Sequence, residues 1–151
     1  MLILNLYFLF FTVFNLNNTI MMDKGLKEIP KLKKLGNLRL FGTQITDAGL
    51  KELVKRQQLT TLPSEIGQLT NLTGLSLHGV QFTTLPSEIG KLTKLTELQI
   101  EKNPLTDTDL EHLKPLKSLK RLDVRDTKVT IAGVEAFRKA LPNCEVKVPR
   151  Q

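Results

Sequence analysis

The sequence predicts an α/β solenoid, with a short parallel sheet along a concave side and short helices and 3-10 turns along the convex side. Three observations predict it. Residues 60–72 (Thr-Thr-Leu-Pro-Ser-Glu-Ile-Gly-Gln-Leu-Thr-Asn-Leu) recur at 83–95 with only Gln68/Lys91 and Asn71/Lys94 changed, an offset of 23 residues. An apolar frame returns along the chain at 35–45, 72–82, 95–105 and 119–129. Aromatic residues make up only 5% of the chain and there is no Trp, so leucine fills the core, as a stack of narrow, similar layers requires. Self-similarity at this period marks a stack in which each unit packs only on its neighbours.

The strands come from the frame itself. Residues 35–45 read Leu-x-x-Leu-x-Leu-x-x-Thr-x-Ile, and residues 95–105 read Leu-x-x-Leu-x-Ile-x-x-Asn-x-Leu. The x-Leu-x-Leu-x core alternates with period two, so it predicts a short strand with every second side chain buried. Strands of successive units then pair in parallel, and about five units are expected.

Residues 1–22 carry no charged side chain, and 2–14 form an apolar run broken by Asn5 and Thr12. That run is shorter than the roughly 18–20 residues a membrane span needs, and its length fits a signal-peptide core. Shifting 35–53 back by 24 residues also brings Leu38 onto Phe14, Leu40 onto Leu16, Asp47 onto Asp23 and Gly49 onto Gly25. Two readings of 1–22 therefore stand, a degenerate first repeat or a targeting segment, and a membrane is reached only through residues 2–14. The cytoplasm is the expected compartment, with export or anchoring as the alternative. The repeats proper are expected over 23–142, with a closing cap and tail over 143–151.

Convex segments of two kinds follow the strands. Thr46-Asp47-Ala48-Gly49-Leu50 has relatives at 23–29, 106–113 and 130–137. Thr46, Thr106 and Thr130 stand where N-caps would, Asp47 and Asp107 fall in the first turn, and Leu110/Leu113 and Val134/Phe137 recur at i, i+3, so these predict short helices. In the second kind, Pro63 and Pro86 stand at a first helical position and Gly67 and Gly90 are read as stops, leaving one tight turn. The joint between the kinds, at 46–59, is irregular. Leu35 and Leu72 are 37 residues apart, too few for two full units. One strand is expected to be lost there, or else Leu53-Val54-Lys55 forms a poor one. At the end, Pro142 closes the last helix, and the alternation from Glu145 to Val148 predicts an edge strand.

Together these motifs resemble the leucine-rich-repeat superfamily over nearly the whole chain. The Thr-Asp-Ala-Gly-Leu units are similar to the helical repeats of bacterial, notably planctomycete-like, proteins. The Leu-Pro-Ser-Glu-Ile-Gly units resemble the Leu-Pro-x-x-Ile/Leu-Gly repeats of plant and bacterial intracellular proteins. The family usually has Asn at the ninth position, where its amide bonds backbone groups as the chain leaves the strand. Here that position holds Asn103 once, Thr at 19, 43 and 127, and Val80, so the turn at Val80 is expected to be the least satisfied.

Net charge is +7, in short clusters such as Lys114, Lys117, Lys120 and Arg121. A nucleic-acid surface wants a dense stripe or interleaved aromatics, so a solvated positive surface is expected and no nucleic-acid partner. The one cysteine, Cys144, excludes an internal disulfide and reads as a small buried cap residue. His78 and His112 have no partner motif and are expected at the surface. Asp107, Asp109 and Glu111 form an acidic run on a helical first turn, which the helix dipole explains without a cation. The sequence has no glycine-rich phosphate loop, His-Glu-x-x-His, Cys-x-x-Cys or Gly-x-Ser-x-Gly, so neither enzyme activity nor a cofactor is expected.

What remains is a binding surface on the strands. One column of exposed positions is expected to hold Asn15, Arg39, Ser76, Gln99 and Asp123. The next holds Asn17, Phe41, His78, Glu101 and Arg125, and a third Asn18, Gly42, Gly79, Lys102 and Asp126. Glu101 is placed to pair with both His78 and Arg125. The expected function is recognition of another protein through the concave face, by Arg39, Phe41, His78, Gln99, Glu101 and Arg125. Arg39, Phe41 and Arg125 make the arginine–aromatic grouping typical of interface hot spots. The alternatives are a structural repeat protein attached to a membrane or envelope by 2–14, or a truncated repeat remnant.

Overall fold

The computed structural model describes residues 61–148 apart from Pro63, and before them the backbone of four strands: β1 (Val13–Asn15), β2 (Ile20–Met21), β3 (Asn37–Arg39) and β4 (Gln44–Ile45). The later strands are β5 (Gly74–Ser76), β6 (Glu97–Gln99), β7 (Arg121–Asp123) and β8 (Glu145–Lys147). All pair in parallel. The order β1-β3-β5-β6-β7-β8 makes a six-stranded sheet, and β2 and β4 form a second pair beside it.

The register follows the repeat arithmetic. Phe14 lies opposite Leu38, Leu75 opposite Leu98, and Leu98 opposite Leu122, steps of 24, 23 and 24 residues. Leu38 lies directly opposite Leu75, a step of 37 residues, so β3 and β5 are sheet neighbours across the irregular joint. No described strand stands between them; Leu53-Val54-Lys55 lies outside the described residues. The helices expected at 23–29 and 46–53 lie outside the described residues.

The convex side is built as its spacing dictates. The 23-residue step from β5 to β6 leaves room for one 3-10 turn, Ser87–Lys91, and a like turn, Ser64–Gln68, precedes β5. The 24-residue steps carry α-helices, α1 (Asp107–Leu113) and α2 (Ile131–Ala140). Inside, leucines stack in layers: Leu75, Leu98 and Leu122 from the strands, Leu69, Leu92 and Leu116 from the turns behind them, all buried. Truncating any of them to Ala should cost about 2–5 kcal/mol.

Details of the turns differ from the sequence expectation. Pro86 is the cap before its turn, not the first residue within it: its φ is −70° and ψ 147°, and its carbonyl accepts from Ile89 N–H at 3.1 Å. Gly67 and Gly90 do not stop the turns. They lie inside them, buried, where the next repeat comes closest. A Cβ on Gly67 would stand 2.7 Å from the Glu88 carbonyl oxygen, and one on Gly90 3.0 Å from that of His112. Glycine is needed here for stacking distance, because backbone on the facing repeat cannot give way.

Candidate functional site

The strands set their residues in rows. Asn15, Arg39, Ser76, Gln99 and Asp123 lie side by side in register, and Lys147 extends the row on β8. A parallel row runs Gly74, Glu97, Arg121 and Glu145. The chain leaves β5, β6 and β7 through a residue in the left-handed region: Gly79 at φ 65°, Lys102 at 57° and Asp126 at 54°. This turn fixes where His78, Glu101 and Arg125, one residue earlier, project.

His78 is half-buried and its Nδ1–H donates to Glu101 Oε1 at 2.6 Å. Glu101 itself is buried, 8% exposed. Arg125 does not join them as expected. Its Nε donates to Asp123 Oδ1 at 2.9 Å and its Nη2 to Asp123 Oδ2 at 2.6 Å. Asp123 and Arg125 are two residues apart and leave the backbone on the same face, so the fork closes along the chain rather than across the repeats. Burial pushes the Asp123 carboxyl up, but the Arg125 side-chain and backbone bonds and the nearby charges of Arg125 and Lys147 outweigh it and hold the group below its ordinary value. Alongside, Arg121 Nε donates to Glu97 Oε1 at 2.6 Å, an exposed pair. Charges on this part of the face meet in two pairs, Arg125 with Asp123 and Arg121 with Glu97.

Of the six residues the sequence singled out, His78, Gln99, Glu101 and Arg125 stand near one another on adjacent strands and turns; Gln99 is exposed. Arg39 takes its place in the row through the β3 backbone. Phe41 lies outside the described residues. Sequence reasoning missed the role of Asp123 as the anchor of Arg125; the signal was an Asp–Arg pair at i, i+2, the Asp ending β7 and the Arg in the turn after it. It also missed Asp126, which with His78, Glu101, Lys102 and Arg125 lines a recess of about 330 Å³.

Asp107, Asp109 and His112 are structural. Asp109 is buried; its Oδ1 accepts from Leu85 N–H at 2.7 Å and Oδ2 from Thr106 N–H at 2.8 Å. Asp107 Oδ1 accepts from Thr130 N–H at 2.8 Å and Oδ2 from its hydroxyl at 2.7 Å. These carboxylates tie one repeat to the next, a stronger role than the helix dipole alone. His112, expected at the surface, is half-buried and bonds the Leu85 carbonyl through Nδ1 at 2.8 Å. His78 is likewise held rather than free in solvent. Among the described residues no group of three or more His, Cys, Asp or Glu is placed to hold a metal ion, and no helix is long and apolar enough to cross a membrane.

The architecture defines a class: a parallel β-solenoid with a convex helix or turn in each repeat of the described part. A model of leucine-rich-repeat regions matches residues 2–139, and the chain belongs to the leucine-rich-repeat family. A leucine-rich-repeat protein of Leptospira interrogans is 35% identical with a TM-score of 0.65, the match covering 80% of this chain and 27% of that one. The ectodomain of the receptor kinase SOBIR1 from Arabidopsis thaliana is 21% identical with a TM-score of 0.56, over 80% of this chain and 59% of that one. A plant peptide hormone receptor, solved in complex with RGF2, is 20% identical with a TM-score of 0.59, over 82% of this chain and 18% of that one. The chain therefore spans well under two thirds of each of these proteins. No curated protein sequence matches it. Proteins of this fold are typically non-catalytic interaction modules.

Proposed function

We propose that the chain is a protein-recognition module whose partner lies along the concave sheet, across the row that contains Arg39, Ser76 and Gln99. The observation that carries this is the register: strands about 5 Å apart set polar side chains of successive repeats into one continuous row. An extended partner meets such a row at every strand. The plant receptor solved with RGF2 supports the reading as an example of this fold holding a ligand. Arg39, Phe41 and Gln99 are the contact residues we assign. Arg125 is the weaker choice, because its guanidinium is held by Asp123.

Crosslinking followed by mass spectrometry would identify the partner, and calorimetric titration of the purified pair would test the face. Replacing Arg39, Phe41 and Gln99 together by Ala should weaken binding by about tenfold or more while leaving the melting temperature unchanged. Unchanged affinity in that variant overturns the assignment of this face.

A further inference from the structure

We infer that the recess around Glu101 is a subsite for a primary ammonium group, a lysine side chain of the protein partner; the inference rests on the concave-face reading above. Glu101 is nine-tenths buried, yet only one of its carboxylate oxygens is bonded: Oε1 accepts from His78 Nδ1–H at 2.6 Å. Oε2 is buried and, among the described residues, accepts no hydrogen bond. A buried carboxylate oxygen without a donor is costly, and a folded chain seldom leaves one. The same side chain lines the recess of about 330 Å³ with His78, Lys102, Arg125 and Asp126, space enough for a side-chain terminus.

The chemistry selects among cations. A guanidinium binds best as a planar fork on two carboxylate oxygens. Here Oε1 already accepts from His78, so a fork would have to share that oxygen. An ammonium is compact, carries three donors and needs only one acceptor in line. Its further donors have Asp126, exposed at the rim, to meet. The neighbouring cations do not fill the role. Arg125 directs Nε and Nη2 to Asp123. Lys102 is exposed, and its ammonium does not reach Glu101 Oε2. An anionic group is disfavoured by the buried Glu101 charge.

The test is an NMR titration of the full-length isotope-labelled chain with three acetylated, amidated pentapeptides, Gly-Gly-Xaa-Gly-Gly, in which Xaa is lysine, arginine or norleucine. The lysine peptide should shift the amides of Glu101, Lys102 and Asp126 saturably, with a dissociation constant on the order of millimolar. The arginine peptide should bind about threefold or more weakly, and norleucine should give no shifts there. Glu101→Gln should reduce lysine-peptide binding about tenfold or more. Should that variant fail to fold, Asp126→Asn, an exposed change, should reduce it about twofold to threefold. Equal shifts from lysine and norleucine, no shifts from the lysine peptide, or undiminished binding in these variants overturns the subsite. The two readings fail separately. A partner that is lost from the Arg39/Phe41/Gln99 variant while the lysine peptide binds nowhere leaves the concave face standing and removes the subsite. Lysine-peptide binding at Glu101 with partner affinity unchanged in that variant removes the assignment of the row instead.

Discussion

Asn103 closes the turn of the repeat before its own: its Nδ2 donates to the Leu77 carbonyl at 2.8 Å while its Oδ1 accepts from Phe82 N–H at 3.0 Å. The same amide reaches Ile100 O at 2.9 Å within its own repeat. The turn at Val80, expected to be poorly satisfied, is therefore satisfied from outside, by the following unit. Thr127, at the equivalent place one repeat on, bonds Val124 O of its own repeat at 2.6 Å. Asn103→Ala should then cost about 3 kcal/mol or more in urea unfolding, since it strands several buried backbone groups at once. Asn103→Thr should fall between the two, because a hydroxyl keeps the bond within the repeat and loses the one to Leu77.

A second joint between repeats predicts a coupling. Gly133 sits in α2, where Gly costs about 1 kcal/mol relative to Ala. A Cβ there would overlap the Asp107 carboxylate, the group that holds Thr130. Gly133→Ala should therefore destabilise the natural chain but stabilise an Asp107→Ala background. A double-mutant cycle should give a coupling of about 1 kcal/mol or more, within the range for contacting residues. Additive effects would show that the carboxylate relocates without loss.

The left-handed turns make a third case. A Cβ on Gly79 would meet nothing within 4 Å, so Gly79→Ala is penalised by backbone conformation alone, at φ 65°. A loss of about 1–2 kcal/mol is expected. Lys102 holds a similar conformation without being glycine, at φ 57°. Lys102→Gly should raise the denaturation midpoint, by less, because glycine also gives the unfolded chain more freedom.

The rows on the sheet were legible in the sequence because two periods fix them: alternation along a strand and an offset of 23 or 24 between strands. Those place Ser76 beside Gln99 and Gln99 beside Asp123 with no further information. What was not legible are contacts set by the distance between stacked repeats. Gly67 read as a turn stop because local rules see only its own turn, whereas its reason is the Glu88 backbone of the next one. Arg125 had two carboxylates within reach of its position, and the choice of Asp123 over Glu101 depends on burial and on the fork geometry along β7. His78 and His112 carried no motif because each bonds a group 23 and 27 residues away in sequence.

The Asp123–Arg125 fork predicts an acid dependence. The Asp123 carboxyl is held below its ordinary value of 3.8, so its contribution is present above that value and is lost as pH falls through the lower folded one. The stability gap between the natural chain and Asp123→Asn should be widest near neutrality and shrink as pH falls from about 4 downward. Arg125→Ala should lower stability at pH 7, and by less in acid, where the carboxyl it leaves behind becomes neutral.

Cys144 predicts the opposite sign at the other end of the pH scale. The thiol is buried against the closing strand, and burial, with a smaller contribution from the Glu145 charge, pushes its pKa from 9.0 to about 11. The folded chain then holds the thiol proton over an interval in which the unfolded chain releases it. This contribution to stability is intact below about 9 and declines as pH rises toward about 11. Cys144→Ser removes the titration, so a stability profile of that variant should be flatter than that of the natural chain over the same interval. The thiolate is the reactive form, so a thiol reagent at pH 8 should leave the native chain unlabelled and label it fully in denaturant. Rapid labelling of the native chain would place the sulfur in an open site and remove the assignment of Cys144 to the cap core.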